Sequence, residues 1–442
     1  MLFLKLGACA EGLQTLTGEP CEVLYLRSMN SRITQSYLHS SYFNSKLNEK
    51  TLIWKKIFES KRNGYLLTTL CYNESLSESV FDKYGLLNRH IYSILDVKEF
   101  NETSGENYKL LRLRNPWGHK EFKGAWSDNW PQWPPHIKSQ VCAYNKDDGC
   151  FWICFEDVLK YFYDITICKV RTDWSETRVS SCFYDYSTAA EAYLVTVTHS
   201  GVHEFEIELF STGYQRSQFD RNCDPSFDLC LIVCRINNGD FFNGLTCLVF
   251  EHSVEYYITV SANLQPGQYV VFATSIKAIS PLNNNNKNFD YASYNIAFHG
   301  KCSFTTNKIR LNKDIVPELF FSVAKMQNHY KDELDGQVRT YVIQGSCTHG
   351  VFIENLSSNI WLDVQLDTSA STNLESTRLT TKSFNTIAPR TRELLAILTP
   401  INYRSGYVIG YKLETKPSTN RIEIRYPQIS LNYSGLHNSR II

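Results

Sequence analysis

The sequence has no pair of cysteines at the C-x-x-C spacing, although it contains 14 cysteines in 442 residues. The two closest pairs, Cys150 with Cys154 and Cys230 with Cys234, lie four residues apart within apolar runs. Structural zinc sites usually combine closely spaced cysteines with matching histidine or cysteine ligands. We therefore expect no zinc in this chain. The scattered, apolar-flanked cysteines favour reduced core thiols in a cytoplasmic protein.

The sequence also has no excess of charge of either sign. Lys+Arg and Asp+Glu both number 45, so the formal net charge is zero. Without a basic surplus there is no field to attract nucleic acid, and we expect no nucleic-acid partner. No apolar run reaches about 18 residues, so no transmembrane segment is expected. The apolar start is interrupted by Lys5 and is too short for a signal peptide.

Up to about residue 174 the sequence mixes helix and strand patterns. An amphipathic helix is predicted near 47–62, where apolar residues recur at three- and four-residue steps. Short apolar runs predict strands at 65–72, 91–97, 109–114 and 165–170, with a helix at 155–162. This mixture predicts a first domain, residues 1–174, built from an antiparallel sheet with helices.

After Trp174 the sequence is dominated by short strand-like runs separated by Gly, Asn, Asp and Pro. Regular short strands with turn signals predict a β-sandwich-like domain over 185–301. A second β-rich domain is predicted over 303–425, opening with a helix near 314–326. The last segment, 426–442, is expected to be a flexible tail. The whole chain is thus predicted to be α+β.

The residues that carry chemistry are His90 and Asn115, which lie 25 positions apart on two predicted neighbouring strands. In thiol proteases an imidazole takes the proton of the cysteine. Its second ring nitrogen needs an acceptor that holds the ring in one orientation, and a neutral asparagine carbonyl can serve. Trp117, two residues after the asparagine, could keep water from that hydrogen bond.

A structural interpretation of the same residues is equally concrete. Asn115-Pro116-Trp117-Gly118 is a turn sequence, in which proline fixes φ and asparagine accepts backbone hydrogen bonds. A histidine near such a turn needs no catalytic role. The two interpretations are distinguished only by the surrounding sequence.

Four ordered motifs surround these residues, at 89–97, 111–118, 124–128 and 148–162. In sequence and spacing they closely resemble the second half of a calpain catalytic core, a papain-like cysteine protease, and the resemblance covers about residues 1–172. The segment 11–18, the junction after residue 173 and the β-rich remainder resemble the small-optic-lobes branch of that family. The resemblance implies part of a papain-like protease core followed by two β-rich domains.

By this resemblance His90 is the catalytic base, Asn115 its orienting partner and Trp117 the shielding ring. Calpains carry their nucleophile in an upstream Q-G-x-x-G-D-C-W-F segment, which this sequence does not contain. Neither Cys9 nor Cys21 has the required neighbours, so we expect no nucleophile in this chain. We expect a fragment whose partner, in a full-length form, is the upstream cysteine-bearing subdomain.

The resemblance also implies a calcium site formed by Glu121, Asp128 and Asp148, with the Lys146 carbonyl as a further ligand. Calcium prefers several hard oxygen ligands. Cys150 stands at one acidic position of the family pattern, and a thiol is a poor calcium ligand. The alternative is that these acids are solvated loop charges.

The function that the resemblance implies is a calcium-dependent cysteine-type endopeptidase that acts on protein substrates in intracellular proteolysis. Because the nucleophile is missing, we expect this chain alone to be inactive. The alternative is a non-catalytic interaction or regulatory protein that uses its β-rich domains, since a β-sandwich does not by itself determine a function.

Overall fold

The computed structural model describes residues 9–26, 46–101, 105–141, 148–183, 189–211, 228–241, 244–254, 257–276, 293–312, 314–402, 405–418 and 436–442. The chain forms two compact units, of which the first ends at Thr172 and the second begins at Asp173. No helix in these ranges is long and apolar enough to cross a membrane.

The first unit combines helices with one antiparallel sheet. Its helices are α1 (Cys9–Thr17), α2 (Lys46–Arg62), α3 (Glu78–Lys83), α4 (Pro135–Val141) and α5 (Phe155–Tyr161). Its strands are β1 (Cys21–Tyr25), β2 (Leu66–Cys71), β3 (His90–Asn101), β4 (Asn107–Arg114), β5 (Cys150–Cys154) and β6 (Phe162–Cys168). The strand order is β1-β6-β2-β3-β4-β5, and every neighbouring pair is antiparallel. The start of β3 therefore lies beside the end of β4.

Helix α2 shows how the apolar pattern produces this packing. The helix spans Lys46–Arg62, close to the predicted 47–62, and that prediction is confirmed. Trp54 and Ile57, three residues apart on one face, are buried in the core of the unit. The helix is followed by Gly64 at φ +79°, a left-handed conformation that glycine adopts without a Cβ penalty.

The second unit is almost entirely β-structure. Its strands are β7 (Ser175–Cys182), β8 (Ala189–Val197), β9 (His203–Ser211), β10 (Leu229–Ile236), β11 (Leu245–Ser253), β12 (Tyr257–Leu264), β13 (Gly267–Thr274), β14 (Ser293–Gly300), β15 (Phe304–Asn312), β16 (Tyr330–Glu333), β17 (Val338–Gln344), β18 (His349–Asn355), β19 (Trp361–Asp367), β20 (Leu374–Ser376), β21 (Lys382–Ile387), β22 (Thr391–Pro400), β23 (Lys412–Ser418) and β24 (Arg440–Ile441). With the first unit, these strands confirm the predicted α+β class with β-rich C-terminal parts.

The strands of the second unit form two sandwiches. In the first, the sheet β11-β10-β13-β8-β15 packs on the sheet β12-β9-β14-β7 around a shared apolar core. In the second, the sheet β16-β17-β18-β22-β20, with β24 beside β22, packs on the sheet β21-β19-β23. In β19, for example, the alternate residues Leu362, Val364 and Leu366 face the core of the second sandwich.

One helix, α6 (Ile315–Gln327), joins the two sandwiches. Its residues 315–324 are all buried, in a cluster that includes side chains of β8, β10 and β13 on one side and of β17, β18 and β22 on the other. A helix that is apolar nearly all round is stable only when it is enclosed in this way.

The structure differs from the sequence expectations at several edges. β23 lies at Lys412–Ser418, and Val408 makes only an isolated bridge to Thr372. β15 pairs with β8, and β24 pairs with β22 inside the segment expected as a flexible tail. These edge strands are polar or very short, so they lack the apolar runs that predict strands. The exact domain boundaries stay a prediction.

Candidate active site

His90 is fixed at the first position of β3, where the backbone is tightly held. It pairs with Cys71 of β2 in the sheet register. The preceding residue, Arg89, has φ 56° and donates its backbone N–H to the Cys71 carbonyl at 2.7 Å. A left-handed non-glycine residue is uncommon, and here it turns the chain into the strand just before the histidine.

Asn115 directly follows β4, whose end lies beside the start of β3, and it is completely buried. Its backbone N–H donates to the Gly149 carbonyl at 2.8 Å. Gly149 has φ +79°, and a Cβ there would lie 2.9 Å from the Asn115 carbonyl oxygen. Only glycine fits this close approach, which holds the loop after β4 against the chain that leads into β5.

The structure brings the two predicted side chains together. His90 Nε2 donates to Asn115 Oδ1 at 2.9 Å, and the Trp117 backbone N–H donates to the same oxygen at 3.1 Å. Asn115 Nδ2 donates to the carbonyls of His119 and Lys120. Reversing the amide would set an N–H donor against the Trp117 N–H and an acceptor oxygen against the two carbonyls, so its orientation is fixed. The acceptor oxygen therefore requires the proton on Nε2 and, in the neutral ring, leaves a lone pair on Nδ1.

Two aromatic rings contact the His90 imidazole. The Trp117 ring lies 4.5 Å away between centroids at 53°, and the Tyr92 ring lies 5.1 Å away at 89°. Trp117 remains 61% exposed, so its contact with His90 involves only part of the indole. Within the described ranges no hydrogen bond reaches His90 Nδ1, so that nitrogen is available to accept a proton.

Tyr92 is a site residue that the sequence reasoning missed. It is fully buried, and its hydroxyl accepts a hydrogen bond from the Leu87 backbone N–H at 2.9 Å. Burial raises the pKa of this phenol, which stays protonated. Residues i and i+2 of a strand share a face, so the strand predicted around His90 carried the signal that Tyr92 lies beside it.

Twelve cysteines lie in the described part of the chain, and none of them hydrogen-bonds to His90. The Cys9 thiol pairs with the Thr68 hydroxyl at 2.8 Å, and burial raises its pKa to about 11. Cys21 is buried at the start of β1. In these ranges, then, no thiol occupies the position of a nucleophile.

The acidic residues predicted to bind calcium lie near one another. Glu121 Oε1 accepts the backbone N–H groups of Asp148 and Gly149 at 3.1 and 2.9 Å. Asp148 Oδ1 accepts the Cys150 N–H at 2.9 Å. Burial raises the pKa of Asp128 to about 6, and the negative charges of Glu121 and Asp148 add to that shift. The three carboxylates therefore interact electrostatically.

These carboxylates do not by themselves fit a calcium ion. In the part of the chain that the structure describes, no group of three or more His, Cys, Asp or Glu side chains could hold a metal. Lys146, the expected carbonyl ligand, lies outside the described residues. Backbone N–H groups already engage two of the carboxylates. Calcium binding stays a prediction, and no catalytic step is derived through it.

The Asp128→Asn variant tests this acidic cluster. A raised carboxyl pKa means that the stability associated with Asp128 is fully present below about pH 4 and is lost as the pH rises to about 6. We expect the variant to melt roughly 2–4 °C above the wild type at pH 7 in EDTA, and the gap to close by pH 4. Differential scanning calorimetry measures both.

The exposed Glu74→Gln variant is the control and should leave the melting temperature unchanged. If calcium binds as predicted, adding it at pH 7 raises the melting temperature of the wild type more than that of Asp128→Asn. A variant less stable than the wild type at pH 7 would contradict the assigned repulsion.

The comparisons with known proteins agree with this geometry. The calpain family cysteine protease domain matches residues 2–169, and the calpain-D-like C-terminal domain matches residues 323–421. Among solved structures, a clostridial cysteine protease, Cwp84, covers 61% of this chain and 57% of its own at 13% identity. Its TM-score is 0.17, too low to carry an argument.

Several curated relatives match as well. Human Calpain-9 is 34% identical over 116 residues, which are 25% of this chain and 17% of Calpain-9. The rice calpain-type cysteine protease ADL1 is 24% identical over 319 residues, 63% of this chain and 14% of ADL1. The Calpain-1 catalytic subunit of Pongo abelii is 27% identical over 238 residues, 51% of this chain and 30% of that subunit.

The chain thus spans less than a third of the length of each of these relatives. Both matched regions are calpain domains, and the first of them contains the joined histidine and asparagine. Over both matched regions the chain is similar to calpain-family cysteine proteases, and these matches support a calpain-family protein.

Proposed function

We propose that the first unit is the base-bearing half of a calpain-type cysteine endopeptidase that acts on protein substrates. The observation that carries the proposal is the hydrogen bond from His90 Nε2 to Asn115 Oδ1, with Nδ1 left open among the described residues. A turn that merely stabilised the fold would not require the ring to present a lone pair.

In the proposed reaction, His90 Nδ1 takes the proton of a cysteine thiol supplied by a segment that this sequence does not contain. The thiolate attacks the peptide carbonyl, and the imidazolium returns its proton to the leaving amine. Water then hydrolyses the thioester with the same base. Asn115 stays neutral throughout, so it holds the ring without competing for the proton.

Three finer assignments belong to the same proposal. Membership of the small-optic-lobes branch rests on the motif resemblance, with the match to a calpain-D-like C-terminal domain as support. A cytoplasmic location is supported by the twelve free cysteines of the described ranges. Calcium dependence rests on the resemblance and on the interacting carboxylates.

The proposal predicts that this 442-residue chain hydrolyses neither casein nor fluorogenic peptides, with or without calcium. A longer form that carries a Q-G-x-x-G-D-C-W-F segment in frame should cleave them. Its cysteine-to-alanine and His90→Gln variants should be silent although folded by circular dichroism. Release of a fluorophore from a peptide substrate measures the hydrolytic activity of all four proteins.

Two results would decide against the proposal. Iodoacetamide-sensitive hydrolysis by the 442-residue chain itself would show that a nucleophile had been overlooked. A longer, folded form with an intact cysteine segment and no activity would favour the non-catalytic interaction protein.

A further inference from the structure

A cysteine–histidine–carboxylate arrangement lies in the second unit, far from the protease motifs in sequence. Asp228 precedes β10, His252 lies in β11, and Cys347 lies in the turn between β17 and β18. His252 Nε2 donates to Asp228 Oδ2 at 2.6 Å, and the Cys347 thiol lies 3.4 Å from His252 Nδ1. The sequence analysis assigned nothing to these residues.

The carboxylate of this arrangement is rigidly held. Asp228 is completely buried, and its Oδ1 accepts the Ser275 hydroxyl at 2.6 Å. Its Oδ2 accepts the Ile276 backbone N–H at 2.6 Å in addition to His252. Hydrogen bonds of this kind stabilise the ionised carboxylate. The charged acceptor keeps a proton on His252 Nε2 and turns Nδ1 toward the thiol.

We propose that Cys347 is a modification site, a thiol activated by His252 that hydrogen peroxide oxidises to a sulfenic acid. The thiolate sulfur attacks one peroxide oxygen, so an S–O bond forms and the O–O bond breaks. The departing hydroxide takes the proton from His252 Nδ1 and leaves as water. Sulfur is oxidised and peroxide is reduced, with no further reactant.

The charges around His252 favour its protonated form, which this reaction needs as the proton donor to the departing hydroxide. Burial alone would lower the pKa of His252, but a Cys347 thiolate and the Asp228 carboxylate outweigh burial and raise it to about 10. Burial also raises the pKa of Glu251 to about 7 and raises those of Cys230 and Tyr407. Cys230 and Tyr407 therefore stay uncharged at neutral pH, whereas Glu251 is partly ionised there.

The hydroxyl of Thr348 also contacts His252 Nδ1, so the Cys347 thiol and this hydroxyl both lie against the same nitrogen. Cys347 is 7% exposed and follows the partly exposed Ser346. So little exposed surface excludes a peptide, so the reactant has to be a small oxidant such as peroxide, which is little larger than water. The arrangement is therefore assigned to modification by a small oxidant and not to a second peptidase activity.

Other cysteines of the chain are more exposed but have a different environment. Burial raises the pKa of Cys150, Cys154 and Cys302, and in none of them does a histidine contribute to that shift. Reactivity toward peroxide depends on thiolate character as well as on exposure. These residues serve as controls within the same molecule.

The test treats the folded, reduced chain with micromolar hydrogen peroxide at pH 7 in the presence of dimedone, and follows each cysteine by peptide mass spectrometry. We expect dimedone on Cys347 to accumulate at least tenfold faster than on Cys302. His252→Gln should reduce this rate at least tenfold. The matched Cys302→Ser variant should not reduce it.

If His252→Gln does not fold, the comparison of the Cys347 and Cys302 labelling rates in the wild type still tests the proposal, because that comparison needs no variant. Labelling of Cys347 no faster than that of Cys302 would overturn the proposal. So would equal labelling of Cys347 in the wild type and in a folded His252→Gln variant. Neither result depends on peptidase activity, so this test is independent of the test of the proposed function.

Discussion

Replacing Asn115 by alanine, in a longer form that carries the cysteine segment, is expected to lower kcat for peptide cleavage by about 10²–10⁴-fold. The variant removes the acceptor of the His90 Nε2 proton, 2.9 Å away, so the imidazole can rotate and exchange tautomers. KM should change little, because the buried amide does not reach the solvent-exposed face where a substrate binds. Steady-state kinetics with a fluorogenic peptide measures both constants.

Trp117→Phe is the matched control, since Trp117 is 61% exposed and an aromatic ring is retained beside His90. Its kcat should stay within about tenfold of the wild type, because its backbone N–H still donates to Asn115. A folded Asn115→Ala variant with kcat near the wild-type value would show that the asparagine does not orient the base.

The largest effect on stability is expected for Glu318→Ala in helix α6. Glu318 is buried and pairs with Arg392, which is itself 7% exposed, and its other oxygen lies 3.6 Å from Arg440. Removing one partner leaves a buried guanidinium without its main counter-charge, which costs about 3–5 kcal/mol. Urea unfolding of the second unit, followed by circular dichroism, measures the loss.

Glu414→Ala is the control for a surface pair, because Glu414 faces Lys412 with both side chains well exposed. It should leave the stability nearly unchanged, because solvent screens an exposed ion pair. Replacing the buried pair together, as Glu318→Leu with Arg392→Met, should recover part of the loss, because the buried guanidinium is removed with its partner, whereas Glu354 and Arg440 each lose one ion-pair partner. A loss below about 1 kcal/mol for Glu318→Ala alone would contradict this account.

The sequence predicted the parts of the fold that depend on local pattern. The three- and four-residue steps between apolar residues, among them Trp54 and Ile57, were enough to locate α2. His90 and Asn115 were found because their surrounding motifs are contiguous and ordered. Their meeting follows from the adjacency of β3 and β4, which antiparallel strands joined by a short connection usually show.

The sequence could not predict the features that depend on how segments distant in the chain pair and pack. The close approach of Gly149 to Asn115 needs β5 to pair with β4, which no local signal specifies. β15 is a polar edge strand, so it lacks the apolar run expected of a strand. Cys347 and His252 are distant in sequence, and only the packing of one sandwich against the other joins them.

The protonation state of His90 in the chain as it stands tests the central claim most directly. Long-range ¹H–¹⁵N spectra of ¹⁵N-histidine-labelled protein, with His90 assigned through His90→Gln, distinguish the two ring nitrogens. We predict a proton on Nε2 that exchanges slowly and an unprotonated Nδ1, with both features lost in Asn115→Ala. A proton on Nδ1, or spectra identical in the variant, would contradict the proposal that Asn115 orients His90 as a catalytic base.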